Sequence, residues 1–238
     1  MNKYDQNNDI KTLREFLSYP LNSTDGIFER FAALPGAKKM GTAPARFVYV
    51  PGYKPDAAVL VAHADTVWTT AQSRSGVTGI GADDRAGCAI LWLLRDSGHS
   101  LLITDGEERG CLGADYASRC IDIDDELNAH TFMVEFDRRG AKDFKCYDVG
   151  TPEFRSYVAD MMPGYTEPDR YSCTDICVLC KDICGVNMSI GYYSEHTTAE
   201  RIEEGEWHAT LTAARKWLLD TELKRFELKK IQLRHYVA

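Results

Sequence analysis

Two adjacent glutamates directly after a short apolar run constrain this chain more than any other feature. Residues 101–104 read Leu-Leu-Ile-Thr, which is typical of a buried strand, and the run ends at Asp105-Gly106. Glu107 and Glu108 follow, and their like charges repel unless a counter-charge or a metal ion lies close by. On a turn the two side chains diverge, so one can bind a metal ion while its neighbour acts as a base. Taken alone, the stretch also fits a solvated acidic turn.

Strand-like and helix-like segments alternate along the chain. This order predicts the α/β class, with a central mixed, largely parallel β-sheet flanked by helices on both faces. Residues 121–128 are expected to form a polar surface connection, and residues 220–238 a peripheral helical segment that could contact another subunit. We expect Asp9 to cap the first helix. The predicted strands span residues 45–50, 57–62, 101–104, 131–136, 144–149 and 187–192, and the predicted helices span 9–19, 26–34, 88–94, 112–118, 152–162 and 202–219.

Composition bounds the class of protein. The 238 residues are 44% hydrophobic and 27% charged, which is typical of a globular chain, and no repeat or linker divides them. We therefore expect one domain over residues 1–238. The net charge of -8 argues against nucleic acid and anionic membranes as main partners. Residues 1–10 lack the apolar core of a signal peptide, and no run approaches the ~20 apolar residues of a membrane span. The expected location is the cytoplasm.

Eight cysteines are many for such a chain, and four of them are clustered. The cluster has the spacing C-x3-C-x2-C-x3-C, whereas structural zinc and iron–sulfur sites more often carry paired C-x2-C repeats. We expect reduced, mostly buried thiols, with a metal site as the alternative. The clustered residues are Cys173, Cys177, Cys180 and Cys184.

A histidine and an aspartate follow the apolar run at residues 57–62. Positions i and i+2 of an extended segment face the same way, so His63 and Asp65 can act together. One ring nitrogen of His63 can bind a metal ion while Asp65 holds the other N–H and fixes the tautomer. A histidine that merely caps a strand, with Asp65 opening a turn, is the alternative.

A glycine-rich loop at residues 78–87 carries two further carboxylates, Asp83 and Asp84, before the apolar helix at 88–94. Glycine loops before helices often bind phosphate, but two aspartates would repel it and the G-K-[ST] signature is absent from the sequence. Paired carboxylates in a tight loop suit a cation. Asp83 is the better candidate ligand, and an acidic helix-capping loop is the alternative.

Two more candidates follow predicted strands. Asp137 comes directly after residues 131–136, and His196 comes shortly after residues 187–192. Arg138 could neutralise Asp137 in an ordinary ion pair. However, histidines and carboxylates that converge at the carboxyl edge of a sheet suit paired zinc ions with open positions. The full candidate set is His63, Asp65, Asp83, Glu107, Glu108, Asp137 and His196.

The order of these motifs resembles that of the di-zinc exopeptidases, a superfamily that includes peptidase T, aminoacylase and the small leucine aminopeptidases. The motifs HADT, GADDRAG, DGEERG, EFD and YSEH occur in the order of that superfamily, between about residues 9 and 202. The resemblance implies a three-layer α/β sandwich. It also implies a metal centre of two zinc ions, for which cobalt or manganese could substitute.

The resemblance also implies a role for each candidate residue. His63 and Asp137 would hold one zinc ion, Glu108 and His196 the other, and Asp83 would bridge both, with Asp84 as the alternative bridge. Asp65 would orient His63, and Glu107 would be the general base and acid.

One departure from the superfamily bears on the substrate. Peptidase T carries an inserted lid or dimerisation domain, but only about sixty residues separate Asp137 from His196, too few for that insertion. A lidless member without the lid's carboxylate-binding residues is expected to be an aminopeptidase acting on short peptides. The alternatives are an amidohydrolase acting on N-acyl amino acids and a non-catalytic binding protein. The oligomeric state is left open.

Overall fold

The computed structural model describes residues 5–67, 79–169, 172–220 and 222–228. These residues form a seven-stranded sheet in the order β1-β2-β4-β3-β5-β7-β6 and a separate two-stranded sheet of β8 and β9. The strands are β1 Lys38–Thr42, β2 Ala45–Val50, β3 Val59–His63, β4 Ser100–Asp105, β5 Met133–Arg138, β6 Phe144–Lys145, β7 Gly185–Ser189, β8 Tyr192–Tyr193 and β9 Arg201–Ile202. The helices are α1 Gln6–Leu17, α2 Asp25–Ala32, α3 Ala82–Leu94, α4 Leu112–Arg119, α5 Ile121–Asn128, α6 Pro152–Met161, α7 Asp175–Leu179 and α8 Glu204–Asp220.

The centre of the sheet is parallel and its margins are antiparallel. Strand β3 pairs in parallel with β4 and β5, and β5 pairs in parallel with β7. The pairs β1–β2, β2–β4 and β6–β7 are antiparallel. The predicted mixed, largely parallel sheet is confirmed.

Alternating residues of the central strands build two cores, one on each face of the sheet. Leu60 and Leu101 join the core that α1, α2, α3, α6 and α8 cover, whereas Val61 and Leu102 join the core under α4, α5 and α7. A strand buried on both faces has no polar side to alternate with, which explains the continuous apolar run in the sequence of β3. The predicted helices on both faces are confirmed.

Two local predictions were wrong, and one strand was missed. Helix α1 begins earlier than expected: Asp5 caps it by accepting from the backbone N–H of Asn7, and Asp9 lies buried inside it. Residues 121–128 form α5 rather than a surface connection, because Ile123 and Leu127, four residues apart, are buried. Strand β1 was missed because it is a polar edge strand without a hydrophobic alternation.

The segment after α8 is not peripheral where the structure describes it. In residues 222–228, Leu223 and Phe226 are buried, and Phe226 packs at steep ring angles against an aromatic cluster that includes Phe132 and Phe154. Residues 222–226 have an irregular backbone, and residue 227 forms an isolated bridge. The expectation of a peripheral helix was therefore wrong for this segment, and residues 229–238 lie outside the described part. Within the described ranges, every helix is too short or too polar to cross a bilayer.

The topology fixes where a ligand can bind. Chain connections leave β3 toward β4 on one side, and β5 lies on its other side, so the strand order reverses around β3. In open α/β sheets the crevice at such a reversal, at the carboxyl ends of the strands, is the usual ligand site. His63, Asp105 and Asp137 all lie at these ends.

Candidate metal centre

The predicted site residues come from five separate elements that meet at the carboxyl edge of the sheet. His63 ends β3, Glu107 and Glu108 lie on a 3-10 turn directly after β4, and Asp137 is the penultimate residue of β5. Asp83 lies at the start of α3, where its backbone and that of its neighbour Asp84 are not helical. His196 follows the short strand β8.

One group of potential ligands surrounds the ring of His63, which is almost completely buried. The Nε2 atom of His63 lies 3.2 Å from Oδ1 of Asp83 and 3.5 Å from Oδ1 of Asp137. One ligand atom from each of these three residues lies within 4.8 Å of the other two. Such a group is small enough to surround one ion.

A second group shares Asp83 with the first. The Nε2 atom of His196 lies 3.1 Å from Oδ2 of Asp83 and 2.7 Å from Oε1 of Glu108. Asp83 therefore directs one carboxylate oxygen to each histidine. His63 and His196 differ in exposure, with 1% and 45% of the side chain accessible. The second group is consequently the one nearer to solvent.

Asp65 holds both the histidine and the glutamate turn. Its backbone carbonyl lies 3.0 Å from Nδ1 of His63, closer than its carboxylate oxygen Oδ1 at 3.4 Å. Its carboxylate accepts hydrogen bonds from the backbone N–H groups of Glu107 and Glu108, at 3.1 and 3.3 Å. Asp65 thus orients His63 mainly through its carbonyl and fixes the turn through its side chain.

Glu107 lies beside His63 but belongs to neither of the two ligand groups that contain Asp83. Its Oε2 atom lies 3.9 Å from Nε2 of His63, and a third compact group contains His63, Glu107 and Glu108. The adjacent glutamates therefore diverge, because Glu108 faces His196 while Glu107 faces His63.

Asp84, the alternative bridging residue, has a different environment. A cis peptide bond joins it to Asp83. Its Oδ2 accepts from the backbone N–H of His63 and its Oδ1 from that of Gly87, at 3.2 and 3.0 Å. Both carboxylate oxygens are thus occupied by local backbone groups, whereas those of Asp83 face the two histidines.

The proton affinities of the cluster reflect crowded acids. Burial raises the pKa of Glu107 to about 9 and that of Asp137 to about 7, with repulsion from neighbouring carboxylates adding to both shifts. Hydrogen bonds to Asp83 and Glu108 raise the pKa of His196 to about 11. Burial opposes the protonation of His63, but Asp137, Asp65 and Asp83 outweigh it and raise the pKa of His63.

These residues fit divalent cations. Their donors are imidazole nitrogens and carboxylate oxygens, the set that zinc, cobalt and manganese accept. Buried carboxylates whose pKa values rise through mutual repulsion would be relieved by a positive charge among them. The two groups that share Asp83 would each surround one ion, with Asp83 reaching both.

Three residues around Asp137 were missed in the sequence. Thr174 and Tyr192 donate their hydroxyl groups to the two carboxylate oxygens of Asp137, at 3.1 Å each. The side chain of Asn187 exchanges hydrogen bonds with the backbone of Asp137. The sequence carries no signal for these contacts, because each joins residues that are distant along the chain.

A second layer of acidic side chains lies beneath the cluster. Glu135 and Asp175 are completely buried; the Thr174 hydroxyl, which also contacts Asp137, lies 2.9 Å from Oε1 of Glu135, and Thr104 donates to Asp175. Burial raises the pKa of Asp175 to about 6 and that of Glu135 well above its usual value. Of the two, the carboxylate of Asp175 helps to raise the pKa of Glu107.

The clustered cysteines have no place in the described metal-binding groups. All eight cysteines are free thiols, and the three compact groups found in the described ranges contain only histidine and carboxylates. Cys180 and Cys184 are buried, Cys177 is half-buried, and Cys173 is exposed beside the site.

Two open cavities adjoin the cluster and share Glu108. One, of about 470 Å³, is lined by Asp83, Asp137, His196 and both glutamates of the turn. The other, of about 500 Å³, extends past Asp65 to Arg46 and Arg109. Each has room for a group the size of an amino-acid residue, so a small substrate could lie across Glu108.

Solved structures of peptidases and of a cyclase share this fold. Over 91% of this chain and 98% of the other, it is similar to aminopeptidase PepT from Bacillus cereus, with a TM-score of 0.61 and 14% identity. It is similar to the TET1 peptidase of Pyrococcus horikoshii over 90% of this chain and all of that chain, with a TM-score of 0.64 and 10% identity. A glutaminyl cyclase from an Acidobacteriales bacterium matches over 90% of this chain and 94% of its own, with a TM-score of 0.66 and 15% identity.

No protein-family model and no curated protein matches the sequence. The resemblance to the exopeptidases that the motifs carry is confirmed at the level of the fold, which this chain shares with PepT and TET1. Because a fold can host several chemistries, the activity must be argued from the site.

Proposed function

We propose that this chain, which has the fold of these peptidases, is a metal-dependent exopeptidase, most simply an aminopeptidase that removes the N-terminal residue of short peptides. The observation that carries the proposal is the pair of compact ligand groups that share Asp83. Two open cavities beside them leave room for a substrate.

The proposed cofactors are two zinc ions, with cobalt or manganese as substitutes. His63 and Asp137 would hold one ion, Glu108 and His196 the other, and Asp83 would bridge them. When bound, such ions would lower the pKa of a water molecule and polarise the substrate carbonyl.

Glu107 is the proposed general base and acid. It lies beside the ligand groups with its carboxylate on the cavity wall, and burial favours its protonated form. A carboxylate with a raised pKa can accept a proton from the attacking water and deliver it to the leaving amine. Asp65 is the proposed partner that keeps His63 and the glutamate turn in position.

The charge and shape of the site favour a free amino terminus. Carboxylates dominate the cavity that contains Asp83 and Asp137, and a negative potential attracts a substrate ammonium group.

We propose that residues 1–238 form one catalytic domain without an inserted lid. Assembly into oligomers is a further proposal: the TET1 peptidase assembles into a tetrahedron or an octahedral shell.

A substrate panel tests the proposal. The zinc-loaded protein is given dipeptides and tripeptides with free amino termini, the same peptides N-acetylated, N-acyl amino acids, and a glutaminyl peptide. We expect release of the N-terminal residue from the free peptides only. Cleavage of N-acyl amino acids alone would indicate an amidohydrolase. Cyclisation of the glutaminyl peptide would indicate the chemistry of the cyclase neighbour, and no turnover would indicate a binding protein.

Replacing Glu107 separates the chemistry from metal binding. Glu107→Gln keeps the size of the side chain but removes the base, so turnover should fall by about 10²–10⁴-fold while metal content stays at the wild-type level. Glu203→Gln is the matched control, because Glu203 is exposed and pairs with Arg201. Turnover of Glu107→Gln close to that of the control would refute the role of Glu107.

A further inference from the structure

We propose that Glu200 is a positioning residue that ties the loop of Asp83 to the segment of His196, so that both side chains reach the same cation. The inference rests on the proposed metal centre. Glu200 is not among the sequence-derived candidates, and it lies four residues after His196. Its side chain is buried, although the residues just before it are not.

The carboxylate of Glu200 accepts three backbone hydrogen bonds from the loop before α3. Its Oε2 accepts from Ile80 at 2.7 Å and Gly81 at 2.8 Å, and its Oε1 accepts from Asp83 at 3.0 Å. Successive N–H groups that converge on one point form a concave anion-binding site. Here the anion is a side chain of the same chain, and hydrogen bonds to a charged acceptor are among the stronger kinds.

The loop can take this shape only with glycine at one contact. A Cβ atom at Gly79 would lie 2.0 Å from Oε2 of Glu200, and the residue has a φ of +67°. Gly81 has a φ of +69°, in the same left-handed region that glycine enters without strain. The GxG spacing that first resembled a phosphate loop therefore surrounds the Glu200 carboxylate.

The other end of the contact anchors His196. Residues 196–199 are all exposed, and the backbone of His196 has a φ of +61°. Within this stretch, Thr197 accepts from the backbone N–H of Glu200 and its hydroxyl donates to the carbonyl of Ser194, both local contacts. Glu200 is the first buried residue after His196, and its carboxylate attaches this segment to the loop of Asp83. On the other side of His196, Glu195 pairs with Arg139.

The consequence concerns one ion more than the other. His196 and Asp83 face each other across 3.1 Å, and Glu200 binds the backbone of one and lies four residues from the other. His63 and Asp137 are held by their own strands and by Asp65, Thr174 and Tyr192. Asp83 belongs to both groups. Loss of the Glu200 contact should therefore weaken the group that contains both Asp83 and His196 more than the group that contains His63, in which only Asp83 depends on Glu200.

Metal binding provides the first test. The full chain is stripped of metal and titrated with zinc alone by calorimetry, as wild type, Glu200→Gln, and the exposed control Glu203→Gln. His196→Ala identifies which binding step needs His196. Glu200→Gln should weaken that step by about 10–100-fold, the usual cost of losing a residue that orients a ligand, and weaken the other step, which depends on Glu200 only through Asp83, by a smaller factor. Equal effects on both steps, or none, would overturn the proposal.

Amide exchange provides a second test that needs no metal and no activity. In the metal-free protein, the backbone N–H groups of residues 80–83 should exchange faster in Glu200→Gln than in wild type. Gly79→Ala should produce the same change, because the added methyl group would displace the Glu200 carboxylate from these N–H groups. The double variant should exchange no faster than either single variant, because both remove one contact. Unchanged exchange in Glu200→Gln would refute the inference.

The two tests separate this inference from the proposed function. If the wild-type protein binds zinc but hydrolyses no peptide, the function fails and the zinc titration still decides the role of Glu200. If it binds no zinc, the proposed centre fails, and amide exchange still decides whether Glu200 holds the loop.

Discussion

At the scale of single residues, neighbours of the same type have different surroundings. Glu107 and Glu108 are adjacent, yet one faces His63 and the other His196. The sequence could suggest that they diverge, because side chains on a turn do so. It could not reveal that one carboxylate, that of Asp65, holds both of their backbone N–H groups, since this contact joins residues more than forty positions apart.

The adjacent aspartates give the first prediction at this scale. Asp83→Asn should lower the zinc content, because each oxygen of Asp83 faces a different histidine. Asp84→Asn should keep the zinc content and lower the free energy of unfolding by about 1–3 kcal/mol, because an amide leaves one of its two buried N–H contacts unmade. Metal analysis and urea unfolding distinguish the two. Loss of zinc in the Asp84 variant alone would assign the bridge to Asp84.

At the scale of elements, helices and strands were predicted best where a single physical pattern dominates the local sequence. The buried strands β3, β4 and β5 and the helices α4, α6 and α8 were located from apolar runs, periodicity and caps, with ends that shift by a few residues. Helix α5 was missed because its two buried apolar side chains, among acidic ones, give only a weak helical periodicity of hydrophobic residues. Residues 222–226 were misread because their packing against Phe132 and Phe154 is purely tertiary.

Helices α1 and α8 offer a matched comparison of buried and exposed ion pairs. Arg215 on α8 binds the buried carboxylate of Asp9 on α1 through two hydrogen bonds of 2.5 and 2.9 Å. The pair of Arg14 and Glu204 joins the same helices on the outside, with 68% and 38% of the side chains exposed. Asp9→Ala should cost about 3–5 kcal/mol of unfolding free energy, because it leaves a buried cation.

Glu204→Ala should cost less than about 1 kcal/mol, since solvent screens the exposed pair. Urea unfolding of the metal-free variants measures both changes. Equal costs would show that the buried pair is no more important than the exposed one.

At the scale of the whole molecule, the candidate site depends on topology that the sequence shows only indirectly. The five motifs predicted the candidate residues, but their convergence needs β3 at the centre of the sheet with β4 and β5 beside it. The contacts of Thr174, Tyr192 and Glu200 cross the fold and leave no local pattern. These were therefore beyond prediction from the sequence.

The stability of the whole chain should depend on pH through a histidine that directly precedes β4, the strand whose other end leads to the site. His99 is buried; its Nδ1 accepts from the backbone N–H of Ala58 and its Nε2 donates to the carbonyl of Leu218. Burial lowers the pKa of His99 below 6.5, so below that pH the unfolded chain gains a proton that the folded chain resists. Stability from this group is complete above about pH 7 and falls by up to about 1.4 kcal/mol per pH unit below pH 6.5.

Thermal or urea unfolding of the chelated protein between about pH 7.5 and 5.5 measures this loss. His99→Gln should flatten the dependence relative to wild type. His130, whose pKa burial also lowers, should retain its own contribution in both proteins. Parallel pH profiles for wild type and variant would contradict the assignment to His99.

The central claim is that five side chains from separate elements converge on two ions that serve peptide hydrolysis. The most direct measurement is the metal content of the purified protein, followed by chelation and restoration during an assay with short peptides. We predict about two zinc ions per chain, with release of the N-terminal residue lost on chelation and regained with zinc or cobalt. A protein that binds no metal even after zinc loading would contradict the account.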